Sequence, residues 1–173
     1  MLGDSLSAGY GIDRDQAWPA LLQARLGAEY SVVNASISGE TTSGGRARLP
    51  QLLARHRPHL VIVALGANDG LRGLPLQQMR DNLDAMIRQN VQHQSRTLLV
   101  GIRMPPNYGA YADAFARVFD ELAQTRKVPL VPFLLEGFAD QVAYFQADGL
   151  HPTAAAQPLI LDNVVPSIRA ALR

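Results

Sequence analysis

The sequence predicts an α/β fold, a three-layer αβα sandwich of the flavodoxin-like type with about five parallel strands and helices on both faces. Strand-like and helix-like segments alternate along the whole chain, as is typical of parallel β–α units. Residues 60–65 are apolar at every position, as expected for a central strand covered on both faces. Polar residues recur directly after predicted strands, where parallel sheets place their ligands.

Two helices and two strands are predicted over the first 65 residues, in addition to a short strand at the start of the chain. Residues 30–34 should form a short strand and residues 60–65 the central one. The first helix is indicated by four apolar residues at helical spacing, which are Trp18, Leu21, Leu22 and Leu26. The second helix is indicated by Leu49, Leu52 and Leu53. Pro50 should begin, bend or interrupt it, because proline cannot donate a backbone hydrogen bond.

The second part of the chain predicts three longer helices and two strands. Residues 97–102 and 130–133 have the composition of buried strands. A helix opened by Pro75 carries Leu76, Met79, Leu83, Ile87 and Val91. The next helix carries Tyr111, Phe115, Val118 and Leu122. The closing helix has Leu161, Val165, Ile168 and Leu172 on one face, and its internal Pro166 predicts a kink or a break.

Length and composition limit the classes of protein that the chain can represent. Its 173 residues fit one domain, so we expect residues 1–173 to be a single domain. We also expect a monomer, although chain length does not determine the oligomeric state. Only two residues precede Gly3, so we expect the first strand to be truncated at its N-terminal side. A net charge of +1 argues against a nucleic-acid partner, and the longest apolar run is too short for stable membrane insertion. With no cysteine, a thiolate nucleophile is excluded.

A candidate nucleophile and a candidate base lie near opposite ends of the chain. Ser5 follows the first strand at a bend, but a serine attacks a carbonyl well only when a base removes its proton. His151 is the histidine expected at the carboxyl edge of the sheet, and Asp148, three residues earlier, could orient its ring. The three remaining histidines are expected on the surface: His56, His59 and His93.

Gly39 and Asn68 are candidate donors for a developing negative charge. A glycine lets a backbone N–H approach closely, and an asparagine amide supplies a second N–H. Together with the Ser5 N–H, they would form a three-donor oxyanion hole. Each of these residues, taken alone, also fits a turn or a helix cap. Their joint position at one edge of one sheet favours acyl-transfer chemistry.

Four motifs resemble those of the SGNH, or GDSL, hydrolase family across nearly the whole chain. They are Gly-Asp-Ser-Leu at residues 3–6, Gly39, Gly-x-Asn-Asp at residues 66–69 and Asp-x-x-His at residues 148–151. The stretches around them look most like the bacterial multifunctional thioesterases, proteases and lysophospholipases of that family. The resemblance implies Ser5 as nucleophile, His151 as base and Asp148 as its orienting partner, with Ser5, Gly39 and Asn68 in the oxyanion hole. It also implies a periplasmic or secreted enzyme that needs no metal or cofactor.

Apolar residues in predicted loops suggest where an acyl chain would bind. The predicted substrate-binding residues are Leu71, Arg72, Leu74, Ile102, Met104, Pro105, Tyr108 and Phe138. Packing over the sheet edge is an equally good reading of any one of them. The resulting prediction is a serine hydrolase that cleaves medium- to long-chain esters and thioesters through an acyl-enzyme. The family resemblance implies acyl-CoA thioesterase, arylesterase and lysophospholipase activities. A carbohydrate acetyl-esterase on the same fold and a non-catalytic flavodoxin-like binding module are the alternatives.

Overall fold

The central feature is a parallel sheet with helices packed around it. A computed structural model describes all 173 residues. Its strands are β1 (Leu2–Gly3), β2 (Leu60–Ala64), β3 (Arg96–Val100) and β4 (Leu130–Val131). They lie in the order β1-β2-β3-β4, and every neighbouring pair is parallel. The predicted α/β class is confirmed, although the sheet has four strands rather than about five.

The missing strand is the one predicted at residues 30–34, and an extended segment slightly later in the chain takes its place. The N-terminal nitrogen of Met1 donates to the Val33 carbonyl at 2.8 Å, and the Ala35 N–H donates to the Met1 carbonyl at 3.0 Å. Residues 33–37 therefore run beside the outer edge of β1. Their pairing stays partial because β1 is only two residues long. Counted with this segment, the chain order across the sheet is 2-1-3-4-5, the flavodoxin-like arrangement.

Seven α-helices complete the chain, and the five longest pack on the sheet in two groups. They are α1 (Ser5–Ala8), α2 (Trp18–Leu26), α3 (Thr42–His56), α4 (Ala67–Leu71), α5 (Leu76–Gln92), α6 (Ala110–Arg126) and α7 (Gln157–Leu172). Helix α2 packs against α7, and α7 contacts β3 and β4. Helix α5 packs against both α3 and α6, and these helices also contact the sheet. The sheet thus lies between two helical layers, as the sequence predicts.

Both internal prolines are accommodated without ending a helix. Pro50 lies nine residues into α3 and Pro166 ten residues into α7. Both are exposed, so the carbonyl groups that lose a proline N–H partner can be hydrated. Pro50 neither begins nor interrupts its helix, and Pro166 does not break its own; the predicted bend at Pro50 and kink at Pro166 stay predictions.

Apolar periodicity explains how the helices cover the sheet. Strands β2 and β3 are buried after their first residue, as expected for central strands. The buried residues of α6 repeat every three or four positions: Phe115, Val118, Phe119 and Leu122. They belong to one core of 33 buried apolar residues. This packing fixes the carboxyl edge of the sheet, where the loops after β1, β2, β3 and β4 lie.

None of the helices combines the length and the apolar character that crossing a lipid bilayer requires.

Candidate active site

Ser5 lies at the first position of α1, directly after β1. The preceding residue, Asp4, caps this short helix, since its carboxylate accepts the Leu6 N–H at 3.0 Å. The Ser5 N–H donates no hydrogen bond within the protein. The strand-to-helix turn thus presents both the hydroxyl and a free N–H of Ser5 at the carboxyl edge of the sheet.

His151 is carried by a hairpin-like loop that follows β4. Phe145 and Pro152 form an antiparallel bridge, and the Gln146 N–H donates to the His151 carbonyl at 2.8 Å. Gly149 turns the loop with a φ of +66°, a conformation that favours glycine. The loop therefore has its own hydrogen bonds, and the position of the imidazole does not depend on the sheet alone.

Three predicted residues form one chain of hydrogen bonds. His151 Nε2 lies 2.9 Å from the Ser5 hydroxyl oxygen, and His151 Nδ1 lies 2.6 Å from a carboxylate oxygen of Asp148. The Asp148 carboxylate also accepts the N–H groups of Leu150 and His151 at 2.9 and 3.0 Å. These hydrogen bonds, led by the one from the His151 backbone, lower the pKa of Asp148 to about 2. An ionised Asp148 holds the proton on Nδ1, which leaves Nε2 free to accept the serine proton.

The two other predicted donors are held next to each other. Gly39 has a φ of +78°, and its N–H donates no hydrogen bond within the protein. Its carbonyl accepts from Arg72 at 3.0 Å. The Asn68 amide donates one N–H to the Glu40 carbonyl at 3.0 Å, which fixes its orientation and leaves the second N–H available. This arrangement supplies what an oxyanion hole requires: oriented N–H groups without internal partners.

A buried polar network fixes the helix that carries Asn68. Its neighbour Asp69 is 2% exposed and accepts both the N–H and the hydroxyl of Thr42, at 2.9 and 2.5 Å. The Thr42 hydroxyl in turn accepts from Asn82 at 3.1 Å. Helix α4 is thereby tied to the start of α3 and to α5. We infer that this network keeps the Asn68 amide in place while charge develops beside it.

Tyr10 and Gln146 contact residues of the loop that carries His151, and the sequence reasoning gave neither of them a role in the site. The Tyr10 ring lies against the His151 imidazole, with ring centroids 4.3 Å apart. The Gln146 amide donates to the carbonyls of Tyr10 and Pro152, at 2.8 and 3.1 Å, and so ties the Ser5 side of the site to the His151 side. Tyr10 lies five residues after Ser5, and this nearness to the candidate nucleophile could have pointed to it. No sequence feature pointed to Gln146.

Ser5, Asn68 and His151 open onto a largely apolar cavity of about 610 Å³. Four of the predicted substrate-binding residues line it: Leu71, Ile102, Met104 and Pro105. Further lining residues were not predicted as substrate-binding, among them Leu6, Phe133, Leu135 and Leu150. Phe133 and Leu135 follow β4, so the rule that ligands bind beyond the carboxyl ends of strands could have found them.

The other four predicted substrate-binding residues are not among those that line this cavity. Phe138 is 1% exposed and packs against Tyr144 and Phe145 in the core. Arg72 is engaged with the Gly39 carbonyl instead. Leu74 and Tyr108 lie beside Tyr111, which donates to the Leu74 carbonyl and whose ring stands 6.3 Å from that of Tyr108. We therefore correct the expected pocket lining by removing these four residues.

Burial of Asp4 beside the candidate nucleophile predicts a measurable cost in stability. Asp4 is 1% exposed, and this burial raises its pKa from 3.8 to about 6. The folded state then binds the proton more tightly than the unfolded state, so stability falls as pH rises from about 4 to about 6. The shift corresponds to about 3 kcal/mol. We expect Asp4→Asn, whose amide oxygen can still cap α1, to remove this loss and to be more stable than wild type at pH 8.

Urea unfolding between pH 2 and 8 tests the expectation. The difference between Asp4→Asn and wild type should grow between about pH 4 and 6 and then level off. Asp148→Asn is the control, because the ionised form of Asp148 stabilises the fold whereas that of Asp4 destabilises it. Since the pKa of Asp148 is lowered, its contribution is present above pH 4 and is lost as pH falls toward 2. A difference between Asp4→Asn and wild type that does not vary with pH would contradict the assignment.

Comparisons with known proteins agree with this geometry. Residues 1–158 match the model of the GDSL-like lipase/acylhydrolase family. The chain is 50% identical to Esterase TesA of Pseudomonas aeruginosa, over 99% of this chain and 88% of that protein. It is 47% identical to thioesterase 1/protease 1/lysophospholipase L1 of Escherichia coli, over 94% of this chain and 78% of that protein.

A solved structure shares the whole fold. The psychrotrophic esterase EstA from Pseudoalteromonas sp., in a structure inhibited by monoethylphosphonate, superposes with a TM-score of 0.92. It is 41% identical, and the match covers 99% of this chain and 96% of that one. These likenesses confirm the predicted enzyme class, a serine ester hydrolase, over a non-catalytic binding module. The chain belongs to the GDSL-like lipase/acylhydrolase family, as its serine, glycine, asparagine and histidine motifs predict.

Proposed function

We propose that the protein hydrolyses carboxylic esters and thioesters of medium to long acyl chains, with Ser5 as the nucleophile of an acyl-enzyme mechanism. The observation that carries the proposal is the hydrogen-bonded chain from Ser5 through His151 to Asp148 at the edge of an apolar cavity. The names of the relatives, which include an esterase and a thioesterase/lysophospholipase, support the same chemistry.

The reaction proceeds in two half-reactions. The Ser5 oxygen bonds to the substrate carbonyl carbon while its proton passes to His151 Nε2. The tetrahedral intermediate places its negative oxygen among the N–H groups of Ser5, Gly39 and Asn68. As the bond to the leaving group breaks, His151 returns the proton to the departing alcohol or thiol. Water then attacks the acyl-enzyme with His151 again as base, and release of the acid restores the Ser5 hydroxyl.

The apolar cavity supports a preference for long acyl groups. Its volume of about 610 Å³ lies within the usual range for small-molecule sites. Each methylene that it buries contributes roughly 0.8 kcal/mol, which corresponds to a factor of about 4. We therefore expect kcat/KM for p-nitrophenyl esters to rise by about twofold to fourfold for each added methylene from acetyl upward, until the cavity is filled.

A matched pair of variants tests whether the acyl chain binds in this cavity. Leu71 is 41% exposed at the cavity, so Leu71→Asp should fold, should slow hydrolysis of octanoyl esters and should spare acetyl esters. Val91 is 66% exposed on α5 and lies outside this cavity, so Val91→Asp should change neither activity. If acetyl esters are the best substrates of wild type, the carbohydrate acetyl-esterase alternative is the better description.

The proposal also covers the organisation and location of the enzyme. We propose that residues 1–173 act as one catalytic domain and that the active form is a monomer without a cofactor. Light scattering after size-exclusion chromatography, and activity after treatment with a chelator, check these points. A periplasmic or secreted location follows from the family resemblance alone, and cell fractionation of the native protein checks it.

A further inference from the structure

The amino edge of the sheet, at the opposite end of the strands from the active site, carries a cluster of basic residues that the hydrolysis scheme does not use. The ends of α3, α5, α6 and α7 meet there, next to the starts of β2, β3 and β4. The Arg96 N–H donates to the His59 carbonyl at 2.8 Å, and its guanidinium donates to the Ala171 carbonyl at 2.7 Å. We name this surface the basic edge, and it comprises residues 55–59, 93–96, 126–129 and 169–173.

The charges of the basic edge have one sign. Six of its exposed Arg and Lys side chains form no ion pair within the protein: Arg55, Arg57, Arg96, Lys127, Arg169 and Arg173. It contains no aspartate or glutamate, and three of the four histidines of the chain lie on it. Because the whole chain has a net charge of only +1, the rest of the molecule is net negative. The protein is therefore strongly asymmetric in charge.

Acidic residues of neighbouring elements leave most of this charge uncompensated. Asp84 on α5 pairs with Arg126 of the basic edge and with Arg88. Glu29 follows α2, which also ends on this side of the sheet, and it forms no ion pair. The six cations without an ion pair thus remain available to a partner.

Helix macrodipoles explain only part of the cluster. Basic residues in the last turn stabilise a helix, which accounts for Arg55, Arg126 and Arg169. It does not account for Arg57 and Lys127, which directly follow α3 and α6 in the left-handed region, with φ of +44° and +54°. Glycine is the residue favoured there, since a Cβ is strained. A cation at two positions where glycine would stabilise the fold points to a role for the charge itself.

The arrangement of these cations fits the surface of a lipid bilayer. Anionic lipids present a broad plane of negative charge, which attracts Lys and Arg without matched pairs. Here the cations come from four separate segments at one end of the molecule. Among them lies a cavity of about 560 Å³ whose lining includes the cations Arg96 and Lys127 and the apolar Val128 and Pro129. Cationic and apolar groups side by side suit a lipid headgroup and the glycerol that carries it.

Two other classes of anionic partner fit less well. Nucleic-acid surfaces usually add aromatic side chains on which bases stack, and the basic edge has no Phe, Tyr or Trp. Protein interfaces are anchored by large side chains that become buried on binding. None of the exposed large apolar residues of the chain belongs to the basic edge.

We propose that the basic edge is a docking surface for an anionic lipid bilayer, held by electrostatic attraction without insertion. The acyl cavity opens at the carboxyl edge of the same sheet, so the docked enzyme keeps its active site directed away from the bilayer. Docking does not depend on the proposed hydrolysis, because the two use different surfaces.

Sedimentation with lipid vesicles tests the docking. At low salt, wild type should bind vesicles that contain phosphatidylglycerol and should not bind vesicles of phosphatidylcholine alone. Binding should be lost at about 1 M salt. Arg57→Gly and Lys127→Gly should each weaken binding roughly fivefold, and the double variant about 25-fold. Both changes replace a strained residue with glycine, so thermal unfolding should show variants at least as stable as wild type.

Two controls separate charge from backbone and from position. Gln94 also lies on the basic edge with a positive φ, of +58°, but it is neutral, so Gln94→Gly should leave vesicle binding unchanged. Arg14 is exposed between α1 and α2, outside the basic edge. Arg14→Gln therefore removes the same charge from another surface and should also leave binding unchanged.

The orientation of the docked enzyme has its own measurement. With saturating phosphatidylglycerol vesicles, kcat/KM for the water-soluble p-nitrophenyl acetate should equal that of the free enzyme, because the active site stays open to solvent. A large loss of this activity on binding would show that the catalytic edge faces the membrane, contrary to the proposal.

Three results would overturn the docking surface itself. They are no binding of wild type to anionic vesicles, equal binding to vesicles of phosphatidylcholine alone, and full binding by the double glycine variant. Failure of the hydrolysis proposal is recognised separately, since wild type would then cleave no p-nitrophenyl ester whether or not vesicles are present.

Discussion

Replacing Ser5 or His151 with alanine should each lower kcat/KM for p-nitrophenyl octanoate by roughly 10⁴-fold or more. The reason is that the two side chains act as one unit, joined by the 2.9 Å hydrogen bond between His151 Nε2 and the Ser5 oxygen. Without the imidazole the hydroxyl keeps its proton, and without the hydroxyl the imidazole has no nucleophile to activate. The double variant should therefore be no slower than the slower single variant, since residual catalysis comes from the oxyanion donors and binding.

Ser7→Ala is the control for the loss at Ser5. Ser7 lies on the same short helix, is fully buried and has a hydroxyl without a hydrogen-bond partner, so its loss should leave the rate near that of wild type. A fluorophosphonate should label wild type and Ser7→Ala with one equivalent at Ser5. Ser5→Ala should stay unlabelled, and His151→Ala should react far more slowly. Additive losses in the double variant would contradict the linked roles of the two side chains.

The order of most strands and helices along the chain was predictable, because buried strands and amphipathic helices differ in the spacing of their apolar residues. The apolar spacing in α6 predicts a helix, with buried residues at 115, 118, 119 and 122. The continuous apolar run of β2 predicts a buried strand. The segment at 30–34 was less predictable. Whether an extended stretch becomes a regular strand depends on its partner, and here the partner, β1, is two residues long. The sequence also could not show that the helices continue through Pro50 and Pro166, because only the structure shows that both prolines are exposed.

The hydrogen-bonding residues of the site were more predictable than its apolar walls. Ser5 and Asn68 closely follow strands, Gly39 follows the extended segment 33–37, and His151 lies in the loop after β4. Their residue types form an uncommon set. Cavity walls consist of common apolar residues, whose side chains face either the core or the cavity depending on the packing of the loops. Phe138 shows this, because it belongs to the same stretch as the cavity residue Leu135 yet packs into the core.

Asn68→Ala should have the next largest effect and lower kcat by roughly 10² to 10³-fold, with little change in KM. The side chain is aligned before substrate arrives, since one amide N–H is held by the Glu40 carbonyl at 3.0 Å. The other N–H is then free for the oxygen of the tetrahedral intermediate. A donor that interacts mainly with the transition state raises kcat, whereas a donor that binds substrate equally well would mainly change KM.

The decisive measurement compares two reactions of the same variant. Formation of a phosphonyl adduct at Ser5 places an oxygen where the oxyanion forms, so Asn68→Ala should slow labelling by a fluorophosphonate in parallel with kcat. Asn163→Ala is the control, because that amide donates to the carbonyls of Leu134 and Glu136 and its loss should affect stability alone. If Asn68→Ala raised KM without slowing either reaction, Asn68 would be a substrate-binding residue. The oxyanion hole would then consist of the N–H groups of Ser5 and Gly39, both of which lack an internal acceptor.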